Sequence, residues 1–227
     1  MRVPAVLIMA KVPRQGEVKT RLAPLLGNNG CVHLTEILLR HVTGVSYSVS
    51  PMATYVAYSP TDGEAEMARL VPGDVVLFQQ EGDDLGERMK NAASLVFARH
   101  KGPLVIIGAD LPLIAAAHIR LAIEALDGGN DAVIGPAFDG GYFLIALSRP
   151  LPQLFDIDPS LWGGPEVLEA TLRSAQLSDL RIHLLEPLRD LDTVEDAQAM
   201  LYEPELPVDV RRMLADAFDH YPLGAQR

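Results

Sequence analysis

Leu104–Ile107 is a continuous apolar run, Leu-Val-Ile-Ile, and it constrains this chain more than any other stretch. It is too short for a buried helix and rich in β-branched side chains, so it reads as a central strand covered on both faces. Gly108 and Ala109 then remove side-chain bulk, which lets another group approach the backbone closely. Asp110 follows at the carboxyl end of the strand, and Pro112 stops the ladder. In open α/β sheets, ligands bind beyond the carboxyl ends of the strands. A carboxylate placed there can hold a divalent cation against a phosphate. The plainer alternative is that Asp110 caps a helix starting near Ala115.

The remaining chain supplies the partners such a strand needs. Val3–Ala10 is a first apolar strand, and further strands are expected at Ala53–Tyr58, Val75–Phe78, Asp131–Pro136, Gly141–Leu147 and Arg181–Leu185. Between them, apolar residues at helical spacing predict helices over Cys31–Val45, Leu85–Arg99, Ala115–Leu126, Pro165–Gln176, Thr193–Tyr202 and Val208–Phe218. Asp62 is expected to cap a short helix carrying Glu64 and Glu66. Strands alternating with helices give an α/β fold with a doubly wound, mainly parallel sheet. Two strands meeting at Asp139-Gly140 break the alternation, so a small antiparallel excursion is expected there. No linker or repeat divides the chain, and residues 1–227 read as a single domain.

Composition narrows the function classes. With 227 residues, 48% hydrophobic and 22% charged, the chain can bury a sizeable core. A net charge of -11 argues against an extended nucleic-acid footprint, though a few local cations suffice for a small phosphorylated ligand. The one cysteine, Cys31, has no intramolecular partner and reads as a core residue. No apolar run approaches the ~18 residues of a membrane span, and Met1–Met9 lacks a signal-peptide pattern. The expectation is a cytoplasmic protein. No stretch marks an oligomer interface.

Against that acidic background, Lys11–Arg21 holds four cations in eleven residues: Lys11, Arg14, Lys19 and Arg21. Lys19 and Arg21 stand two apart and would project to one side of an extended segment. Arginine offers a planar fork for phosphate, lysine a mobile point charge, and Gly16 lets backbone N–H groups turn toward an anion. A solvated basic loop is the alternative. Neither a Walker loop nor G-x-G-x-x-G is present. In Asp139–Leu144 the paired glycines allow close approach of a ligand, and Tyr142 adds an aromatic face; a tight hairpin with Tyr142 in the core reads equally well. Asp192 could ligate a cation or cap the next helix. Trp162, the sole tryptophan, lies in a Gly-Gly-Pro loop and could stack on a sugar or plug a core edge. The histidines and cysteine show no zinc spacing, and no G-x-S-x-G elbow appears.

Six segments taken in order, KVPRQGEVKTRL, GDDLGERM, IGADLP, GPAFDGGYFLIAL, LWGGPEVLEATL and RDLDTVEDA, resemble a bacterial glycosyltransferase family related to 2-phospho-lactate guanylyltransferase. The resemblance implies the nucleotide-diphospho-sugar transferase superfamily and its glycosyltransferase A type of fold. It further implies that Ala10, Lys11, Gly16, Lys19 and Arg21 contact the nucleotide and its phosphates. Gly82, Leu85, Gly86 and Arg88 would lie along base and ribose. Asp110 and Asp192 would bind Mg²⁺ or Mn²⁺, and Gly140, Gly141, Tyr142 and Trp162 would line the acceptor side. Glu17 stands where the family commonly has a basic residue, Asp83 where glycine is common, and Gly164 where a hydroxyl residue is frequent.

The expectation is therefore a metal-dependent transferase using a nucleotide-activated donor, with Lys19, Arg21 and Asp110 at the chemistry. Its favoured form moves a sugar from a nucleoside diphosphate sugar to a small acceptor. Nucleotidyl transfer from a nucleoside triphosphate to a phosphorylated acceptor is the alternative, and a nucleotide-binding module without catalysis the third.

Overall fold

The computed structural model describes residues 3–221. Seven strands among these form one sheet: β1 (Ala5–Lys11), β2 (Thr54–Ser59), β3 (Val76–Gln79), β4 (Leu104–Gly108), β5 (Ala132–Pro136), β6 (Tyr142–Leu147) and β7 (Ile182–Leu184). Their order across the sheet is β3-β2-β1-β4-β6-β5-β7. All neighbouring pairs run parallel except those of β6, which is antiparallel to both β4 and β5. The expected α/β sheet with a short antiparallel excursion is thus the observed one, and the excursion is β6 itself.

The apolar run at 104–107 sits near the centre, between β1 and β6. Side-chain alternation sends Val105 and Ile107 to one face and Leu104 and Ile106 to the other. On the first face lie α1 (Ala23–Val49), through Leu39 and Val42, and α4 (Ala116–Asp127), through Ile119, Ala122 and Ile123. On the second lie α3 (Leu85–Arg99), through Met89, Ala92, Ala93 and Val96, and α5 (Val167–Leu177), through Ala175. A third apolar cluster joins the start of α1 to α6 (Val194–Met200) and α7 (Val208–Asp219), with Leu34, Leu38, Met200, Val210 and Leu214 buried.

Three local expectations change. The helix placed at Cys31–Val45 begins at Ala23, because Gly27 absorbs a kink at φ 67°, ψ 167° instead of ending the chain's helical path. Asp62 does not cap the short helix α2 (Glu64–Met67); its carboxylate accepts from Arg14 at 2.9 Å instead. Finally, the segment after Gly16 is not extended: Lys19 is left-handed at φ 48° and Thr20–Leu22 form a 3-10 turn.

Candidate active site

A cleft of about 480 Å³ opens across the carboxyl ends of β1, β2 and β4 and the hairpin joining β5 to β6. At its centre the Lys19 ammonium donates to Asp192 Oδ1 at 2.7 Å and touches Asp110 Oδ1 at 3.0 Å. Contacts of that length through one nitrogen hold the two carboxylate oxygens within about 6 Å of each other. Asp110 leaves the end of β4, whereas Asp192 comes from the segment leading into α6. A backbone bond from Leu191 N–H to the Asp110 carbonyl ties those two places together.

Neither aspartate is a helix cap. The α4 N-terminus is closed at Ala115, whose N–H donates to His118 Nδ1 at 3.0 Å. At α6 the cap is Thr193, whose hydroxyl accepts from the Asp196 N–H while Asp196 accepts from the Thr193 N–H. The plainer explanations for Asp110 and Asp192 are therefore removed, and both carboxylates face the cleft, about half exposed.

Lys19 itself is only 3% exposed. Burial works against its charge, yet the two carboxylates outweigh burial and hold the ammonium above its ordinary range. Cys31 supports the left-handed backbone there, its thiol donating to the Lys19 carbonyl at 3.2 Å. That explains a buried cysteine on the first turns of α1, and burial raises the thiol's pKa.

Of the residues expected at the site, Ala10, Lys11, Lys19, Arg21, Leu85, Arg88, Asp110, Gly141, Tyr142, Trp162 and Asp192 line this one cleft. Arg88 is oriented by a bond from its Nε to the Gly82 carbonyl, 3.0 Å. Gly16, Gly82, Gly86 and Gly140 lie outside the lining. Gly16 and Gly82 shape their turns with positive φ. Gly86 makes room at the start of α3, where any side chain would collide with the Trp162 indole nitrogen and the Phe155 carbonyl. Gly140 sits against the Pro165 carbonyl, closing the hairpin onto the start of α5. Arg14 faces away, its guanidinium forked between Asp62 and Glu66.

Tyr142 lies between the cleft and the core. Its ring borders the cleft and meets Trp162 edge-on at 6.5 Å, while its hydroxyl is buried, which pushes its pKa up. Trp162 likewise lines the cleft while its indole nitrogen is buried without a partner among the described residues. Sequence reasoning missed Asp139 and Asp190, two further carboxylates in the lining. Burial first, then Asp192, Asp139 and Asp196, push Asp190 up to about 6. The Asp-Leu-Asp alternation at 190–192 was the available signal, since residues two apart in an extended segment share a side.

Residues 46–160 match the family described as "Uncharacterized protein conserved in bacteria (DUF2064)". The chain belongs to that family. A 2-phospho-L-lactate guanylyltransferase of Methanococcoides burtonii is 26% identical over 147 residues, which is 62% of this chain and 60% of the relative's length. A phosphoenolpyruvate guanylyltransferase of Rubrobacter xylanophilus is 29% identical over 182 residues, 78% of this chain and 84% of the relative. A crystal structure from Desulfovibrio desulfuricans G20, provisionally described as a nucleotide-diphospho-sugar transferase, superposes with a TM-score of 0.85 at 28% identity, covering 97% of this chain and 99% of that one. The fold is that of the nucleotide-diphospho-sugar transferases. No helix among the described residues is long and apolar enough to cross a membrane.

Proposed function

We propose that the chain is a nucleotidyltransferase. It would join the nucleoside monophosphate part of a triphosphate, GTP in the first instance, to a small phosphorylated acceptor. The observation that carries this reading is the convergence of Asp110 and Asp192 on Lys19 in a cleft that Lys11, Arg21 and Arg88 also line. A triphosphate and an acceptor phosphate bring several negative charges together, and four cations at one sheet edge suit that load. Both curated relatives are named guanylyltransferases, which moves the weight from glycosyl to nucleotidyl transfer.

In the reaction, an acceptor phosphate oxygen forms a bond to the α-phosphorus. The bond from that phosphorus to the oxygen bridging to the β-phosphate breaks, and pyrophosphate leaves with the electron pair. Lys19 and Arg21 neutralise the developing charge, Arg21 through two parallel N–H donors. The cleft walls position donor and acceptor in line, the larger part of catalysis in phosphoryl chemistry.

The donor set also fits Mg²⁺ or Mn²⁺. Asp110 and Asp192 each spend one oxygen on Lys19, and the other has no partner among the described residues. No cluster of three or more His, Cys, Asp or Glu side chains among those residues is arranged for a metal. Mg²⁺ is commonly held by one or two carboxylates together with substrate phosphates, and two carboxylates are what the cleft presents. When bound, such an ion would supply positive charge to the α-phosphate and the leaving pyrophosphate.

A thermal-shift series with nucleoside triphosphates and nucleoside diphosphate sugars, each with and without Mn²⁺, tests the proposal. A ligand at ~100 times its dissociation constant adds about 2.7 kcal/mol, a shift of roughly 5–11 °C for a chain of this size. GTP shifting the parent but not Asp110→Asn supports nucleotidyl transfer. Diphosphate sugars shifting while triphosphates do not would establish the glycosyl alternative, and silence from both a protein without this chemistry.

A further inference from the structure

The cations in the cleft are gathered in one half of it. Lys11 at the end of β1, Lys19 and Arg21 in the segment after it and Arg88 on α3 supply them, and Glu17 of that segment lines the same half. The half built by the β5–β6 hairpin and the segment leading to α5 is lined by Asp139, Gly141, Tyr142, Phe143, Trp162 and Val167, with Ala137, Gly163 and Gly164 completing it. No Lys, Arg or His is among those lining residues. Asp190 adds a second carboxyl group to the lining. Arg189, next to Asp190 in the chain and outside the lining, is engaged by Asp196 at 3.1 Å and stacks over the Phe138 ring at 5.0 Å. His118 meets Phe143 edge-on, and its Nδ1 is already taken by the Ala115 N–H.

A carboxylate entering a partly enclosed site needs a cation or a cradle of donors to replace its hydration. This wall presents carboxyl groups and aromatic surface instead. One divalent ion shared by Asp110 and Asp192 would be held beside Lys19 by those two carboxylates, and Asp139 and Asp190 are the carboxylates that remain on the acceptor side. We propose, resting on the nucleotidyl-transfer reading above, that the acceptor is a phosphomonoester of an alcohol whose remaining body carries no carboxylate, a neutral polyol or an amino alcohol. Its phosphate lies toward Lys19 and Arg21, and its carbon skeleton lies against Tyr142 and Trp162. That sets this chain apart from the two guanylyltransferases, whose named acceptors, 2-phospho-L-lactate and phosphoenolpyruvate, both carry a carboxylate.

The test measures pyrophosphate release from GTP and Mg²⁺ by the full chain. One acceptor series is glucose 1-phosphate, glycerol 3-phosphate, phosphoethanolamine and phosphocholine; the other is phosphoenolpyruvate, 2-phospholactate and 3-phosphoglycerate. The expected result is kcat/KM at least tenfold higher for the best carboxylate-free acceptor than for the best carboxylated one. Asp139→Asn, which keeps an oxygen for the Gly141 N–H, should narrow that ratio by raising the carboxylated series. Trp162→Ala should raise KM for the carboxylate-free acceptor by a larger factor than KM for GTP. Preference for a carboxylated acceptor overturns the inference and leaves nucleotidyl transfer standing. If GTP with Mg²⁺ binds but no acceptor turns over, calorimetry on that complex decides, and failure of the first series to bind also overturns it. Absence of GTP binding defeats the nucleotidyl reading itself, and this inference with it.

Discussion

Lys19→Met tests the central cluster most directly. The substitution keeps the length and packing of a side chain that is 3% exposed while deleting the charge between Asp110 and Asp192. The two carboxylates, within about 6 Å of each other, then repel without compensation. Coulomb's law at that separation gives about 0.7 kcal/mol in bulk water and about 3 kcal/mol at an effective dielectric of 20. Because both carboxylates are roughly half exposed, and because the buried ammonium's desolvation cost also disappears, about 2 kcal/mol is the reasonable net loss. For a chain of this size that lowers Tm by about 4–8 °C. Differential scanning calorimetry at 0.05 and 1 M NaCl reads it, and the deficit should shrink at high salt, where the screening length falls to about 3 Å. Mn²⁺ should raise the Tm of the variant more than that of the parent, since both carboxylates are then free to hold it. A variant as stable as the parent, or a deficit indifferent to both salt and Mn²⁺, refutes the reasoning.

Other perturbations separate placement from chemistry. Arg21→Ala should weaken GTP binding at least tenfold by calorimetry, and Arg21→Lys should recover only part because the bidentate fork is lost; Arg14→Ala, whose guanidinium is turned to Asp62 and Glu66, should bind as the parent does. Gly86→Ala forces the Trp162 indole off the start of α3 and should cost about 1–3 kcal/mol, visible in urea melts and as a red shift in the emission of the sole tryptophan. Burial holds His41 and His118 below the ordinary value of 6.5. A depressed folded-state pKa favours the neutral ring, so stability is present above pH 6.5 and falls as the pH drops below it. Protonating His118 also removes the acceptor for the Ala115 N–H. Tm measured from pH 8 to 5 should decline below about 6.5, less steeply in His118→Asn, and a flat profile in the parent would contradict the burial argument.

The local pattern determined much of this protein. The unbroken run at 104–107 had to be a strand covered on both faces, because four successive apolar side chains leave none for water. Asp110 had to emerge at its carboxyl end, and the alternation of strand and helix patterns dictated a mainly parallel sheet. Helical periodicity likewise located α3, α4, α5 and α7 to within about two residues. What could not be read locally was settled by contacts between distant segments. Lys19 and Asp192 are separated by 173 positions, and their bond exists because the chain before α6 returns to the end of β4. Spacing alone could not show that Arg14 turns to Glu66, or that Lys19 leaves a left-handed residue and not an extended one. Gly86 looked like part of a nucleotide loop, yet its role depends on Trp162, a residue 76 positions away brought against it by the packing of α3. Backbone periodicity follows from steric rules that act within a few residues, so sequence displays it. The direction a charged side chain takes depends on which opposite charge the fold brings within reach, and only the tertiary structure decides that.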